Sequence, residues 1–243
     1  MQIYKEISIL SARPSQSELN KIKHHLYGFM SVKNNFSAGQ WLKLVKNKIT
    51  KIFKKGKIPI IVGGTGLYFN AITKGLSVIP NISKKKRLLV RNLYKKLGPK
   101  NFFKKLIKID PKCKKKIIYS DTERVLRAYE VKKFTNKSIY DWAKNTQSDF
   151  QDFDIRKIYI DTPREKLLEK IYARTKKMIN KNCLSEVSKF LRLNIDSSLS
   201  ANKIIGIYEI KEYLIGNYSK NKVEELINIK TRQYAKRQST WSR

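Results

Sequence analysis

The chain has 243 residues and a mass of 28.5 kDa, enough for one large domain or two small ones. Its 54 Lys and Arg residues outnumber 19 Asp and Glu residues, so the formal net charge is +35. Two cysteines exclude a disulfide-rich secreted scaffold, and no apolar run approaches the roughly 18 residues that span a bilayer. The N-terminus also lacks the apolar core of a signal peptide, so we expect a cytoplasmic protein that makes no membrane contact.

The charge excess predicts a polyanionic partner, because each neutralised phosphate releases counterions. A single lysine cluster such as KKGK is as well explained by a solvated surface. The excess over the whole chain nevertheless favours a nucleic acid.

The first clear elements form an α/β unit. Apolar residues at helical spacing predict a helix over 41–54, and the apolar, β-branched run IPIIV at 58–62 predicts a strand buried on both faces. The glycine turn GGTG at 63–66 follows, and a helical pattern resumes after it. Helix, strand, turn and helix in this order are typical of parallel-sheet proteins.

The next segment, 84–153, is rich in lysine and helical in period. SDTE at 120–123 is a capping box in which Ser120 is the predicted cap. The helix that follows carries Arg124 and Arg127 on one face, because they are three residues apart.

The alternating run IRKIYI at 155–160 predicts a second strand, and helices follow it to the end of the chain. We therefore predict an α/β fold with a parallel-sheet core. The core comprises 1–83 and 154–243, and a helical domain is inserted at 84–153. The runs 58–62 and 155–160 are expected in one sheet.

Few residues of this sequence match a known catalytic or metal-binding pattern. The glycine turn suits a phosphate at a helix N-terminus, but a tight turn with positive φ explains it equally simply. No glycine fits the phosphate-loop pattern G-x-x-x-x-G-K-[ST], and neither the adjacent His24 and His25 nor the two cysteines have the spacing of metal ligands. We predict no metal ligands in this chain.

The C-terminal segment TRQYAKRQSTWSR at 231–243 is more informative. As a helix it places Tyr234, Gln238 and Trp241 on one face and basic residues on another. Aromatic, amide and basic groups together suit RNA, although a basic helix with a buried tryptophan explains them equally well.

Four blocks together resemble the tRNA dimethylallyltransferase family. They are the N-terminal MQIY with ARPS and HHLYGF, then IPIIVGGTGLYFNAITKGLS, DTERVLRAYEV and TRQYAKRQSTW. The blocks keep the family's order and cover essentially the whole chain. The resemblance implies that the parallel-sheet core is of the P-loop-NTPase type and that the C-terminal helices of 154–243 bind tRNA. The resemblance implies transfer of a dimethylallyl group from dimethylallyl diphosphate to N6 of the adenosine 3′ of the anticodon, tRNA position 37.

The same resemblance exposes two departures. The family's phosphate loop and its general-base Asp would lie upstream of Met1, so we expect a fragment or a gene model begun at an internal Met. Ser242 stands where the family usually has Phe. If the upstream segment is absent, the chain is expected to bind tRNA and to transfer prenyl groups poorly.

The resemblance also implies site residues. Thr65 and Arg174 are the expected catalytic residues, and Gly63, Gly64 and Arg174 are expected to bind the prenyl diphosphate. The expected tRNA ligands are Gln2, Thr65, Arg87, Glu123, Arg124, Val125, Leu126, Arg127, Lys203, Ile204, Ile205, Gly206, Ile207, Tyr208, Lys236, Arg237, Gln238, Ser239, Thr240, Trp241, Ser242 and Arg243.

Mg²⁺ is the implied cofactor, with ligands mostly upstream, and the implied partners are the tRNA anticodon stem-loop and dimethylallyl diphosphate. A monomer is expected. Two other functions stay open. One is a catalytically inactive RNA-binding fragment; the other is an adenylate isopentenyltransferase, disfavoured because a free nucleotide needs neither the arginine pair nor the basic C-terminus.

Overall fold

The computed structural model describes residues 1–180 and 182–242. The chain divides into two compact units, a first unit of Met1–Gly66 and Arg156–Arg243 and a second unit of Leu67–Ile155. The second unit encloses the predicted insertion and begins earlier than predicted. None of the described helices is long and apolar enough to cross a membrane.

The first unit is helical. Its helices are α1 (Gln16–Lys21), α2 (Ala38–Phe53), the first residue of α3 (Gly66–Thr73), α7 (Arg164–Asn180), α8 (Cys183–Arg192), α9 (Ile207–Leu214) and α10 (Lys220–Ser242). Apolar faces of α7 to α10 enclose a core with Phe190 and Ile210 at its centre, and the N-terminal residues Ile7 and Leu10 complete it.

One carboxylate ties the N-terminal loop to this core. Glu186, in the first turn of α8, accepts hydrogen bonds from the backbone N–H groups of Ser8, Ile9 and Leu10 at 2.5, 2.8 and 2.9 Å. The Ser8 hydroxyl also donates to it at 2.9 Å. The backbone N–H groups of this loop have no strand or helix carbonyl as acceptor, so the Glu186 carboxylate accepts their hydrogen bonds instead.

The second unit is a helical domain built on α4 (Lys84–Ile109) and α5 (Thr122–Thr135), with α6 (Ile139–Ala143) beside them. Helix α4 is kinked at Gly98, whose φ is 71°, just before Pro99. Phe102 and Leu106 lie fully buried in the core of this unit.

Helix α5 begins one residue later than predicted. Asp121 is its N-cap, and the Asp121 side chain accepts a hydrogen bond from the Arg124 N–H at 3.2 Å. Ser120 therefore does not cap this helix. Both residue types cap well, so the sequence alone does not choose between them.

The predicted parallel sheet is wrong for the part of the chain that the structure describes. The runs 58–62 and 155–160 form neither helix nor strand, and the isolated bridge found among the described residues is a parallel one between Tyr4 and Met30. Their side chains are exposed, with Ile58 at 85% and Ile158 at 87%. β-Branched composition favours extended backbone, but a sheet also needs a paired neighbour, and neither run has one.

Both cysteines are buried and free. Burial raises the pKa of the Cys113 thiol to about 12 and that of the Cys183 thiol to about 11. Their thiols therefore stay protonated and pack as small apolar side chains.

Candidate prenyl-transfer and RNA-binding site

The glycine turn lies against the end of the C-terminal helix within the first unit. A Cβ built on Gly64 would lie 1.9 Å from Gln238 Nε2, and one built on Gly66 would lie 2.2 Å from the Trp241 ring. No residue of the turn has a positive φ. The Trp241 ring therefore leaves no room for a side chain at Gly66, whereas the flexible Gln238 side chain at Gly64 could move aside; the positive φ expected of the turn is not the reason for its glycines.

This contact assigns a place to residues expected to bind tRNA. Gln238 and Trp241 share a face of α10, as the helical spacing predicted, and that face meets the turn. Lys236 and Arg237 lie exposed on the same helix, and the Arg237 guanidinium lies 5.8 Å from the centre of the Tyr234 ring. The basic face of α10 is therefore open to an anionic ligand.

The remaining residues of the turn are accessible. Thr65 is exposed, and a Cβ on Gly63 would meet no atom within 4 Å. An exposed hydroxyl flanked by glycines leaves room for a ligand to approach the backbone closely.

Arg174 lies on α7, which packs against α10. The Arg232 guanidinium on α10 donates to the Tyr172 hydroxyl on α7 at 3.4 Å, so the two helices are linked beside it. Although Arg174 as a residue is exposed, crowding around its guanidinium lowers its pKa by desolvation. No described acidic residue forms an ion pair with it, which suits a cation that receives an anionic ligand.

The stretch 203–208 divides by burial. Ile204, Gly206 and Ile207 are buried in the first unit's core, with Ile205 half-buried, so the isoleucine side chains are used in packing. Lys203 and Tyr208 are exposed. The sequence alone could not separate the buried residues from the exposed ones, because the two kinds occur together within six positions.

At the N-terminus, Gln2 is held in a local turn. Its side-chain amide donates to the Ala12 carbonyl at 2.7 Å, and its own carbonyl accepts from the Gly28 N–H at 2.9 Å. These bonds fix the N-terminal loop, and they leave the Gln2 amide already occupied.

In the second unit, α5 separates its residues in the same way. Val125 and Leu126 are buried, whereas Arg124 is exposed and pairs with Asp121 at 3.3 Å. Arg127 is half-buried and lies 3.7 Å from the carboxylate of Glu130. The arginine pair of the sequence thus has two different environments on one helix.

Arg87 and Glu123 complete the RNA-binding candidates of this unit. The Arg87 Nε donates to the Ile82 carbonyl at 3.1 Å, and Glu123 pairs with Arg91 of α4 at 3.7 Å. Sequence reasoning missed Arg91 and Glu130, because their roles depend on the packing of α4 on α5. The remaining C-terminal candidates Ser239, Thr240 and Ser242 lie on α10, and Arg243 lies outside the described residues.

The described residues offer no group of three carboxylates, histidines or cysteines that could hold a metal ion. The implied Mg²⁺ therefore lacks a full ligand set in the part of the chain described.

Known proteins similar to this chain belong to one family. The family model described as IPP transferase matches residues 2–243. A tRNA dimethylallyltransferase of Pelagibacter ubique is 55% identical over 243 residues, which cover the whole chain and 78% of that protein. One from Rickettsia massiliae is 39% identical over 99% of this chain and 67% of its own length.

Two solved structures resemble this chain in fold. A tRNA delta(2)-isopentenylpyrophosphate transferase from Staphylococcus epidermidis has 29% identity and a TM-score of 0.64, covering 99% of this chain and 78% of its own. A eukaryotic dimethylallyltransferase acting on tRNA has a TM-score of 0.78 at 24% identity, with coverage of 99% and 61%, and shows likeness of fold.

Proposed function

This chain belongs to the IPP transferase family, and we propose that it acts as a tRNA dimethylallyltransferase on the adenosine 3′ of the anticodon. The observation that carries the proposal is 55% identity over all 243 residues to a relative of that name. The charge of +35 and the exposed basic faces of both units support a polyanionic substrate. We propose dimethylallyl diphosphate as the donor and the anticodon stem-loop as the acceptor.

The reaction forms a bond between N6 of the adenine and the allylic C1 of the donor. The bond from C1 to the diphosphate oxygen breaks, pyrophosphate leaves with the electron pair, and N6 loses one proton. The adenine has to leave its stack to reach the donor, at a cost of a few kcal/mol. Charge that develops on the pyrophosphate needs donors fixed in advance.

We assign these tasks to residues of the first unit. Arg174, without an acidic partner among the described residues, receives the pyrophosphate, and the backbone of Gly63 lies open enough to approach it, whereas Gly64 can approach it only if the Gln238 side chain turns away. Thr65 directs its exposed hydroxyl toward the target adenosine. Gln238 and Trp241 support this proposal indirectly, because their contact with the turn fixes its position.

The binding of tRNA is expected to weaken steeply with salt. Each lysine or arginine that neutralises a phosphate adds roughly 0.7–0.9 to the slope of log affinity against log salt concentration. The measurement is a filter-binding titration of the chain with an unmodified anticodon stem-loop between about 50 and 200 mM salt. A stem-loop with guanosine in place of the target adenosine is the control for base reading, and a flat salt dependence would contradict the proposal.

Binding of tRNA and binding of the donor are expected to depend on different arginines. Arg127→Ala should weaken tRNA binding by roughly 1–3 kcal/mol if it contacts a base, and Arg124→Ala by less because Asp121 already pairs with it. Arg174→Ala should spare tRNA and weaken the binding of dimethylallyl diphosphate, measured by calorimetry. The assignment is wrong if Arg174→Ala loses tRNA and keeps the donor.

The catalytic test is mass spectrometry of the tRNA after incubation of this chain with dimethylallyl diphosphate and Mg²⁺. Isopentenyladenosine at the target position supports the transferase. Stem-loop binding without any transfer favours the second reading, an RNA-binding chain without catalysis. Prenylation of free adenine nucleotides in place of tRNA would favour the third.

A further inference from the structure

A single buried carboxylate lies among arginines in the second unit. Glu130 of α5 is 4% exposed, and its Oε2 lies 3.7 Å from Arg127 Nη1. Arg87 and Arg91, both on α4, also act electrostatically on this carboxylate. We call Arg87, Arg91 and Arg127 the arginine cluster.

Burial makes the charged form of the Glu130 carboxylate energetically unfavourable. Burial raises its pKa, and the three arginines of the cluster oppose that rise. A buried carboxylate with no role in packing would be easily replaced by an apolar residue. Its interaction with three arginines therefore indicates that Glu130 serves to position them.

The arginines need a counter-charge to share one surface. Arg127 is itself half-buried, and desolvation together with Arg87 lowers its pKa. Its buried Nη1 has no hydrogen-bond partner among the described residues, because Glu130 lies beyond hydrogen-bond distance. Arg127 is thus held toward Glu130 by charge and not by a hydrogen bond.

The charges leave a net attraction for anions. The Arg127 guanidinium lies 3.7 Å from the buried carboxylate, Arg87 and Arg91 act on that carboxylate electrostatically, and Arg91 also pairs with the exposed Glu123 at 3.7 Å. A planar guanidinium binds a phosphate with two parallel hydrogen bonds only when its orientation is fixed. The buried Glu130 carboxylate can supply that orientation. Its single negative charge leaves the three arginines with a net positive charge that attracts RNA.

We propose that Glu130 is a positioning residue for tRNA binding, and that Arg91 joins Arg87 and Arg127 in contacting the RNA backbone. The inference rests on the proposed function, since it takes tRNA as the ligand. Glu130 does not touch the RNA; it holds the arginine cluster in the arrangement that does.

The sign of one substitution separates this role from simple charge. Glu130→Gln removes a negative charge from a protein that binds a polyanion, so long-range electrostatics alone predicts tighter tRNA binding. Positioning predicts weaker binding, because the arginines lose their anchor. The glutamine is nearly isosteric and escapes the desolvation cost of the carboxylate, so we expect the variant to fold.

The experiment measures the tRNA affinity of the full chain and of Glu130→Gln at several salt concentrations, with thermal unfolding of each. We expect binding weakened roughly 5- to 30-fold and a salt slope lower by about one phosphate contact, with little change in unfolding. Asp141→Asn is the matched control. Asp141 pairs with Lys112 at 2.6 Å in the same unit, away from the cluster, and its loss should leave binding unchanged or tighter.

Two further variants keep the result decisive. Glu130→Asp retains the buried charge but shortens its reach to Arg127, and should also weaken binding. Arg91→Ala should lower affinity and salt slope together. Unchanged or tighter binding by Glu130→Gln, or by Glu130→Asp if the glutamine variant does not fold, overturns the inference. Failure of the wild-type chain to bind tRNA would instead overturn the proposed function.

Discussion

Glu186→Ala is expected to lower the free energy of unfolding by about 2–5 kcal/mol, a large share of the roughly 5–15 kcal/mol typical of a protein. The Glu186 carboxylate accepts from three consecutive backbone N–H groups of the N-terminal loop and from the Ser8 hydroxyl. Alanine leaves those donors without an acceptor, and each unpaired buried donor costs about 1–3 kcal/mol. Urea unfolding followed by circular dichroism measures the loss.

Two variants bracket this expectation. Glu186→Gln keeps one acceptor oxygen but turns an amide NH₂ toward backbone donors, so its loss should fall between wild type and alanine. Glu225→Ala removes an exposed glutamate that pairs with Lys222 at 2.9 Å, and should change stability by less than about 0.5 kcal/mol. Equal effects of Glu186→Ala and Glu225→Ala would show that the loop does not depend on the carboxylate.

Gly66→Ala is expected to cost about 1–3 kcal/mol by overpacking. The added methyl would lie 2.2 Å from the Trp241 ring, so the turn and the end of α10 cannot keep their present distance. The expected result is a lower urea midpoint and displacement of Trp241, seen as a change in tryptophan fluorescence.

The neighbouring glycine provides the control for this substitution. A Cβ at Gly63 would meet no atom within 4 Å, so Gly63→Ala should leave the urea midpoint almost unchanged. In Trp241→Ala the clash is gone, so adding Gly66→Ala there should cost much less than in wild type. Additive costs in the double variant would mean that the tryptophan does not lie on the turn in solution.

The local elements were the predictable part of this fold. Apolar spacing predicted a helix over 41–54, and the structure has one over Ala38–Phe53 that starts earlier at the cap Ser37. Helical spacing likewise brought Gln238 and Trp241 to one face, as observed. Such periodicity depends on neighbours within a few residues, and these are visible in the sequence.

What escaped prediction depends on residues far apart in the chain. The run 58–62 has the composition of a buried strand, but burial and pairing are supplied by other segments, and the run is exposed. Gly66 has the appearance of a turn glycine in the sequence, whereas the lack of room for a side chain there comes from Trp241 of the C-terminal helix. Glu130 looked like an ordinary helix residue, because the arginines of α4 that surround it are not evident from its own neighbours.

The exposed runs at 58–62 and 155–160 also bear on how copies of this chain behave toward one another. β-Branched segments with exposed apolar side chains are the kind that associate edge to edge into aggregates. The repulsion of a +35 charge opposes the approach of two copies and so protects these segments. A polyanion that neutralises the charge removes that protection, so the RNA proposed as the substrate would also favour association of these exposed runs.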